Sequence, residues 1–183
     1  MLYTRKGDSG TTKTFDSKER ISKNSTIAEA LGSLDEINSF LGLCKVKSVE
    51  KKFDVNGKKF SDIVHEIQQT LFIIQAELAG ADKKVGEEKV VNLETLIDTI
   101  EKLLPPIKTF FISGGTELAS TFDIARTIAR RAERRVVQVA EEGKQNIGPE
   151  TLKYLNRLSS ILYAMARLSN HLAGISEEAP VYK

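Results

Sequence analysis

The sequence predicts an all-α protein, an antiparallel five-helix bundle behind an ordered N-terminal loop. Three observations carry this expectation. Apolar residues recur three or four apart in five stretches from Thr26 onward. Short connections rich in Gly, Pro or Lys separate those stretches. Strand propensity is low throughout, so helix on helix is the layer arrangement that remains. The 183 residues suit a single domain over 1–183, with the loop at 1–25 and the bundle at 26–175. A chain of this size buries roughly two-thirds of its unfolded surface and needs no disulfide or metal staple.

Residues 1–25 carry Gly7, Gly10, Asp8 and Ser9 among several threonines, a composition that favours bends over helix. From Thr26 the stripe Ile27, Ala30, Leu31, Leu34, Ile37, Leu41 marks the first helix. Thr26 followed by Glu29 reads as a capping box, and Gly42 lies near the expected end. Residues 45–58, Lys-rich and containing Asn56-Gly57, read as a solvated connection. Phe60, Ile63, Val64, Ile67, Leu71, Ile74 and Leu78 give a second helix ending near Gly80, and a loop is expected over 81–89. Leu93, Leu96, Ile97, Ile100, Leu103 and Leu104 give a third helix, stopped by Pro105-Pro106 because proline disfavours the helical conformation of the preceding residue. After the apolar, glycine-containing segment Phe110 to Gly115, a long helix is expected from about Glu117 to Glu142, broken by Gly143 and Asn146-Ile147-Gly148-Pro149. The last helix covers about Glu150 to Ala173. No internal repeat, heptad seam or low-complexity tract is present.

Composition excludes several function classes. Lys and Arg total 27 against 25 Asp and Glu, a formal charge of +2, so a polybasic nucleic-acid arm is not the main theme, although a pI near 8.6 leaves room for a local basic patch. Cys44 is the single cysteine, which rules out an intrachain disulfide and a Cys-rich zinc site and reads as a small core residue. His65 and His171 are the only histidines, so neither a His-built metal centre nor a Ser/His/Asp constellation is expected, and no residue is assigned as a direct metal ligand. The first residues hold no apolar stretch of signal-peptide length. The longest apolar run, Leu71 to Ala81, is interrupted by Gln75 and Glu77 and is too short and polar for a bilayer. The expectation is a soluble cytoplasmic protein with no membrane or nucleic-acid partner.

Three constellations carry chemistry. In Thr4-Arg5-Lys6-Gly7-Asp8-Ser9-Gly10-Thr11-Thr12-Lys13, two glycines permit tight bends that aim successive N–H groups at one anion. Threonine hydroxyls and the cations Arg5, Lys6, Lys13 and Lys23 add donors suited to a polyphosphate. The spacing is not that of a Walker A loop. The same composition also fits a turn-rich arm with ordinary surface charge. In Arg126 to Arg135, helical periodicity groups Arg126, Arg130 and Glu133 on one flank of the core stripe and Arg131 and Arg135 on the other. The first flank can hold phosphate oxygens in its guanidinium forks; a solvated face laced by ion pairs is the other reading. In Gly32 to Asn38, Asn38 falls inside the apolar stripe and Asp35 at its edge, where a carboxylate can pair with an Arg of another helix or subunit or serve as part of a structural polar pair. Asn156 raises the same question on the last helix.

Taken together and in order, these stretches resemble the PduO-type ATP:cob(I)alamin adenosyltransferases, also called corrinoid adenosyltransferases. The likeness rests on residues 3–12 (YTRKGDSGTT), 32–39 (GSLDEINS), 110–115 (FFISGG), 125–134 (ARTIARRAER) and 154–159 (YLNRLS), and so spans nearly the whole chain. The resemblance implies a homotrimer with active sites between subunits. It implies transfer of the 5′-deoxyadenosyl group of ATP to cob(I)alamin, with Mg²⁺ on the nucleotide. Thr4, Arg5, Lys6, Gly7, Asp8, Thr12, Lys13 and Lys23 would hold the triphosphate; Arg130, Arg131, Glu133, Arg134 and Asn156 would hold the rest of the ATP. Arg130 would act in catalysis, with Asp35 and Arg126 paired to order the site, and Phe110 would pack on the corrinoid's lower face. A cobalt reductase and an adenosylcobalamin-dependent enzyme are the implied partners. Two positions depart from the family pattern: Ser113 stands where Pro usually precedes the Gly pair, and Ser160 where Asp usually follows the YLNRLS stretch. A non-catalytic carrier or sensor of ATP or corrinoid, and a helical nucleic-acid or scaffold protein using the Arg126–Arg135 stripe, are the competing readings.

Overall fold

In the computed structural model, residues 3–15 and 19–182 are described. Within the N-terminal loop, β1 (Thr11–Thr12) and β2 (Ile21–Ser22) pair antiparallel, Thr11 opposite Ser22 and Thr12 opposite Ile21. Residues 1, 2 and 16–18 of the expected 1–25 loop lie outside the described residues.

Helix α1 (Thr26–Lys51) is capped by Ser25, whose hydroxyl accepts the Ala28 N–H, one residue earlier than the expected Thr26 box. Thr26 instead donates to the Glu142 carboxylate at 2.9 Å. The helix also runs past Gly42, so residues 45–51, expected as a connection, are helical. The lysines that suggested a loop are explained by its outer face, while Cys44 and Ser48 are buried and the Ser48 hydroxyl donates to the Cys44 carbonyl at 2.7 Å. Lys52 ends the helix in a left-handed conformation. A tight hairpin follows, β3 (Asp54–Val55) on β4 (Lys58–Lys59), turned by Asn56 and Gly57 at φ of 50° and 83°. Two consecutive positive φ values match strand twist in a two-residue hairpin, and Asn-Gly adopts them at the least steric cost.

Helix α2 (Phe60–Leu78) and helix α4 (Glu117–Glu141) follow expectation closely. Helix α3 (Glu87–Leu103) begins inside the expected 81–89 loop, with Glu87 and Glu88 in its first turn facing the positive end of the helix dipole. The Thr116 hydroxyl caps α4 by accepting the Ala119 N–H at 3.1 Å. Pro149 opens α5 (Pro149–Leu172), where its missing N–H costs no hydrogen bond.

Helix α1 packs on α2 and α4, α4 on α5, and α5 on α3. Side-chain pairs give the directions. Glu29 meets Arg135 and Lys47 meets Glu117, so α1 and α4 are antiparallel. Glu94 meets Arg157, and Arg167 reaches the Pro105 carbonyl just past α3, so α3 and α5 run parallel. The helices alternate up and down along the sequence, as expected, with this one parallel pair of neighbours. Phe60 and Phe122 meet edge-on at 6.1 Å between centroids, in the same core that holds fully buried Leu34, Leu41 and Leu71. Each such side chain contributes about 1.5–3 kcal/mol by leaving water. Buried Glu77 ties α2 to the start of α5: its carboxylate accepts the Gly148 N–H at 2.7 Å and the Thr151 hydroxyl, and Lys84 lies 3.3 Å away. Among the described residues no helix is long and apolar enough to cross a membrane.

Candidate active site

A cleft of about 610 Å³ opens between the segment leading into α4 and the adjoining faces of α4 and α5. Its far wall is Phe110 and Phe111. Its near wall is Arg126 and Arg130 from α4 with Ser159, Ser160 and Tyr163 from α5. The helical spacing that grouped Arg126 with Arg130 therefore brings both to one cavity, which Phe110 also lines. Phe110 is 77% exposed, an aromatic ring presented to whatever fills the cleft.

The segment is held by Asn170 of α5, whose amide donates to the Gly114 carbonyl at 2.8 Å while its oxygen accepts the Thr116 N–H at 2.9 Å. Gly115 sits at φ 97°, and a Cβ there would lie 2.4 Å from the Asn170 oxygen. Only glycine satisfies both the backbone conformation and the approach.

Arg126 is half-buried, 5.8 Å over the Tyr163 ring and 3.6 Å from the Asp123 carboxylate. Its Nε is buried and has no hydrogen-bond partner among the described residues. Burial raises the Asp123 carboxyl above its usual range, against the opposing pull of Arg126 and hydrogen bonds from the Gly114 N–H and the Ser113 hydroxyl. Ser113, where a proline was the expected pattern, thus supplies a donor that proline lacks. Burial likewise raises the Tyr163 hydroxyl.

Below the cleft, Glu133 accepts the Asn156 amide at 3.0 Å, joining the two residues that the sequence assigned to one role. Arg134 donates to the Arg130 carbonyl at 3.0 Å. Arg130 is exposed and has no ion-pair partner among the described residues. Arg131 lies on the opposite flank, bound to Glu36 of α1, and does not reach this cleft. Asp35 is exposed on α1 and does not meet Arg126 within the chain, which faces Asp123 instead. Asn38 is buried with its side-chain oxygen unpartnered, so the expected pairing of that amide is not made among the described residues.

The N-terminal loop forms a second constellation. Asp8 N–H donates to the Arg5 carbonyl and Gly10 N–H to the Gly7 carbonyl, giving two successive bends, with Arg5 at φ 59°. The β1–β2 pairing returns the chain so that the Lys23 N–H donates to the Gly10 carbonyl at 2.9 Å. A Cβ at Gly7 would lie 3.1 Å from the Lys23 ammonium, so Lys23 stands directly beside the bend. Thr4, Lys6, Asp8 and Lys13 are exposed on the same loop, and Thr12 is half-buried. Arg20, which the sequence reading missed, binds Thr11 through its hydroxyl at 2.8 Å and its carbonyl at 2.7 Å. Asp123, Tyr163 and Lys108 were missed as well; Asp123 alone had a signal, one helical turn before Arg126.

The two constellations stand apart. Thr26, at the end of the loop, contacts Glu142 at the far end of α4. At 1.5 Å per residue, Arg130 and Glu142 are separated by about 18 Å along the helix.

The structure thus defines a helical-bundle protein with a cleft lined by Arg126, Arg130 and the Phe110–Phe111 pair and a separate Gly-, Thr- and Lys-bearing N-terminal loop. The family model described as cobalamin adenosyltransferase matches residues 2–169, and the chain belongs to that family. It is 37% identical over 93% of its length to the corrinoid adenosyltransferase PduO of Citrobacter freundii, and 40% identical over 96% to the corrinoid adenosyltransferase of Bacillus subtilis. The chain spans about half of the Citrobacter PduO protein (50%) but 90% of the Bacillus one. A solved structure, a variant of the PduO-type ATP:corrinoid adenosyltransferase from Lactobacillus reuteri complexed with cobalamin and ATP, superposes with a TM-score of 0.87 at 34% identity, covering 100% of both chains.

Proposed function

We propose that this chain transfers the 5′-deoxyadenosyl group of ATP to cob(I)alamin, releasing triphosphate. The observation that carries the reading is the cleft itself: Arg126 and Arg130 line the same cavity as Phe110. The Lactobacillus reuteri relative, complexed with cobalamin and ATP, supports both substrates. Cobalt(I) supplies the electron pair that forms the cobalt–carbon bond. The C5′–oxygen bond breaks, and its pair leaves with the triphosphate. No protein nucleophile or base is required, in keeping with the absence of a triad from the sequence. The protein's work is alignment of the two substrates and stabilisation of the negative charge that grows on the leaving group. Arg130, free of ion pairs among the described residues, is suited to that charge, and Glu133 with Asn156 to the nucleoside. The Thr4–Lys13 loop and Lys23 are suited to the triphosphate. Phe110 provides an apolar wall that denies an axial base access to cobalt.

Among the described residues no three His, Cys, Asp or Glu side chains cluster to hold a metal ion. Mg²⁺ would be carried to the site on the triphosphate oxygens, where it would offset their charge. The separation of loop and cleft within one chain supports sites completed between subunits of a homotrimer. Asp35, exposed and unpaired among the described residues, and the Arg126 Nε, which makes no hydrogen bond among them and only a 3.6 Å ion pair with Asp123, support their meeting across that interface. A cobalt reductase and an adenosylcobalamin-dependent enzyme are the partners this chemistry calls for, in the cytoplasm where ATP is made.

An anaerobic assay with chemically reduced corrinoid, ATP and Mg²⁺ tests the proposal. Light-sensitive adenosylcobalamin with stoichiometric triphosphate is the expected product. ATP binding without product would instead identify a carrier or sensor.

A further inference from the structure

The segment that presents Phe110 is tied at four places: to Asn170, Arg167 and Asp123 of the bundle, and to the stretch that follows α5. Asn170 of α5 holds its end at Gly114 and Thr116. Arg167 of α5 holds its beginning, donating to the Pro105 carbonyl at 3.0 Å. Its middle is held by the stretch that follows α5, where the Glu178 carbonyl accepts the Ile112 N–H at 2.8 Å. That stretch is itself anchored by Glu177, whose two carboxylate oxygens take the Nε and an Nη of Arg167, each at 2.7 Å.

Arg167 is 5% exposed, and its guanidinium lies 5.2 Å over the Phe111 ring. One buried cation thus touches the start of the segment, the ring next to Phe110 and the following stretch at once. The paired, forked geometry fixes direction as well as distance. Between these ties much of the segment faces solvent: Ile107, Phe110 and Ile112 are each at least half exposed. A cavity of about 480 Å³ lies behind it, bounded by Leu104, Phe111, His171 and Ile175, so dense packing does not lock it from that side.

We propose that Glu177 is a positioning residue: through Arg167 and the Glu178–Ile112 bond it straps the Phe110 segment in place for the corrinoid, without touching either substrate. The proposal rests on the adenosyltransferase reading. Its specific content is an asymmetry. Loss of the strap should disturb the corrinoid half of the site and leave the nucleotide half, held by α4 and the N-terminal loop, as it was.

The test is Glu177→Gln, which keeps an acceptor for Arg167 but removes the charge, with Glu177→Asp as the conservative control. Amide exchange at Ile112 should quicken in Glu177→Gln while exchange within α4 stays at the parent rate. The KM for cob(I)alamin should rise about tenfold with the KM for ATP within twofold, as expected for a displaced contact surface. Glu177→Asp should recover part of both losses. Unchanged exchange at Ile112, or equal rises in both KM values, would overturn the strap. A parent protein with no turnover would sink the adenosyltransferase reading instead. The strap would then stand on quickened Ile112 exchange or fall on its absence.

Discussion

Arg130 and Asp123 show how differently two charged residues of one helix can serve a site. Arg130 lines the cleft with no ion-pair partner among the described residues, while Arg131 and Arg135, on the other flank, are engaged by Glu36 and Glu29 of α1. Arg130→Ala should lose about 2–3 kcal/mol of transition-state stabilisation, read as a fall in kcat/KM of about 30- to 150-fold. A fall of only a few-fold would remove Arg130 from that role. Asp123 is half-buried, and burial holds its carboxyl above the ordinary value of 3.8. The folded state therefore favours the protonated form. That contribution to stability is complete below the unfolded value and is lost as pH rises through the folded one. Asp123→Asn should accordingly gain on the parent as pH rises from about 3.8 toward neutrality, measured as urea midpoints across that range. A difference that does not vary with pH would show that another group sets the profile.

Among the elements, the segment from Pro105 to Thr116 is the one whose geometry the site depends on most. Gly115→Ala would force a left-handed conformation on a residue with a side chain and drive its Cβ into Asn170. We expect a loss of about 1–3 kcal/mol in stability, seen as a lowered urea midpoint, together with weaker corrinoid binding. An unaltered midpoint would mean the segment can shift without cost. The stop before this element was readable beforehand, because Pro105-Pro106 acts through local backbone chemistry, whereas the Thr116 cap emerged only from the structure. The overrun of α1 was not: Lys45, Lys47 and Lys51 look like loop residues until the neighbouring helix shows that Cys44 and Ser48 face it. The same limit applies to the cleft. Periodicity placed Arg126 and Arg130 side by side on α4. It could not show that Tyr163 of α5 lies under one of them, or that Arg167 meets a stretch beyond its own helix.

At the scale of the whole molecule, the loop and the cleft sit at different levels of α4. If each site is completed by two chains, two inactive proteins can repair one another. Co-expression of Arg130→Ala with Lys23→Ala should restore roughly a quarter of parent activity, because random mixing yields that share of interfaces carrying neither change. No recovery in verified mixed oligomers would place both residues in one chain's site. The single cysteine gives a different handle, on the bundle of one chain. Cys44 is wholly buried, and burial pushes its thiol up to about 12, so the folded protein offers a reagent almost no thiolate. Labelling must wait for α1 to part from its neighbours. The slow rate of thiol modification should therefore count openings of the bundle. If added ATP and corrinoid quiet that rate, the protein carries a built-in clock for how firmly such ligands clasp it.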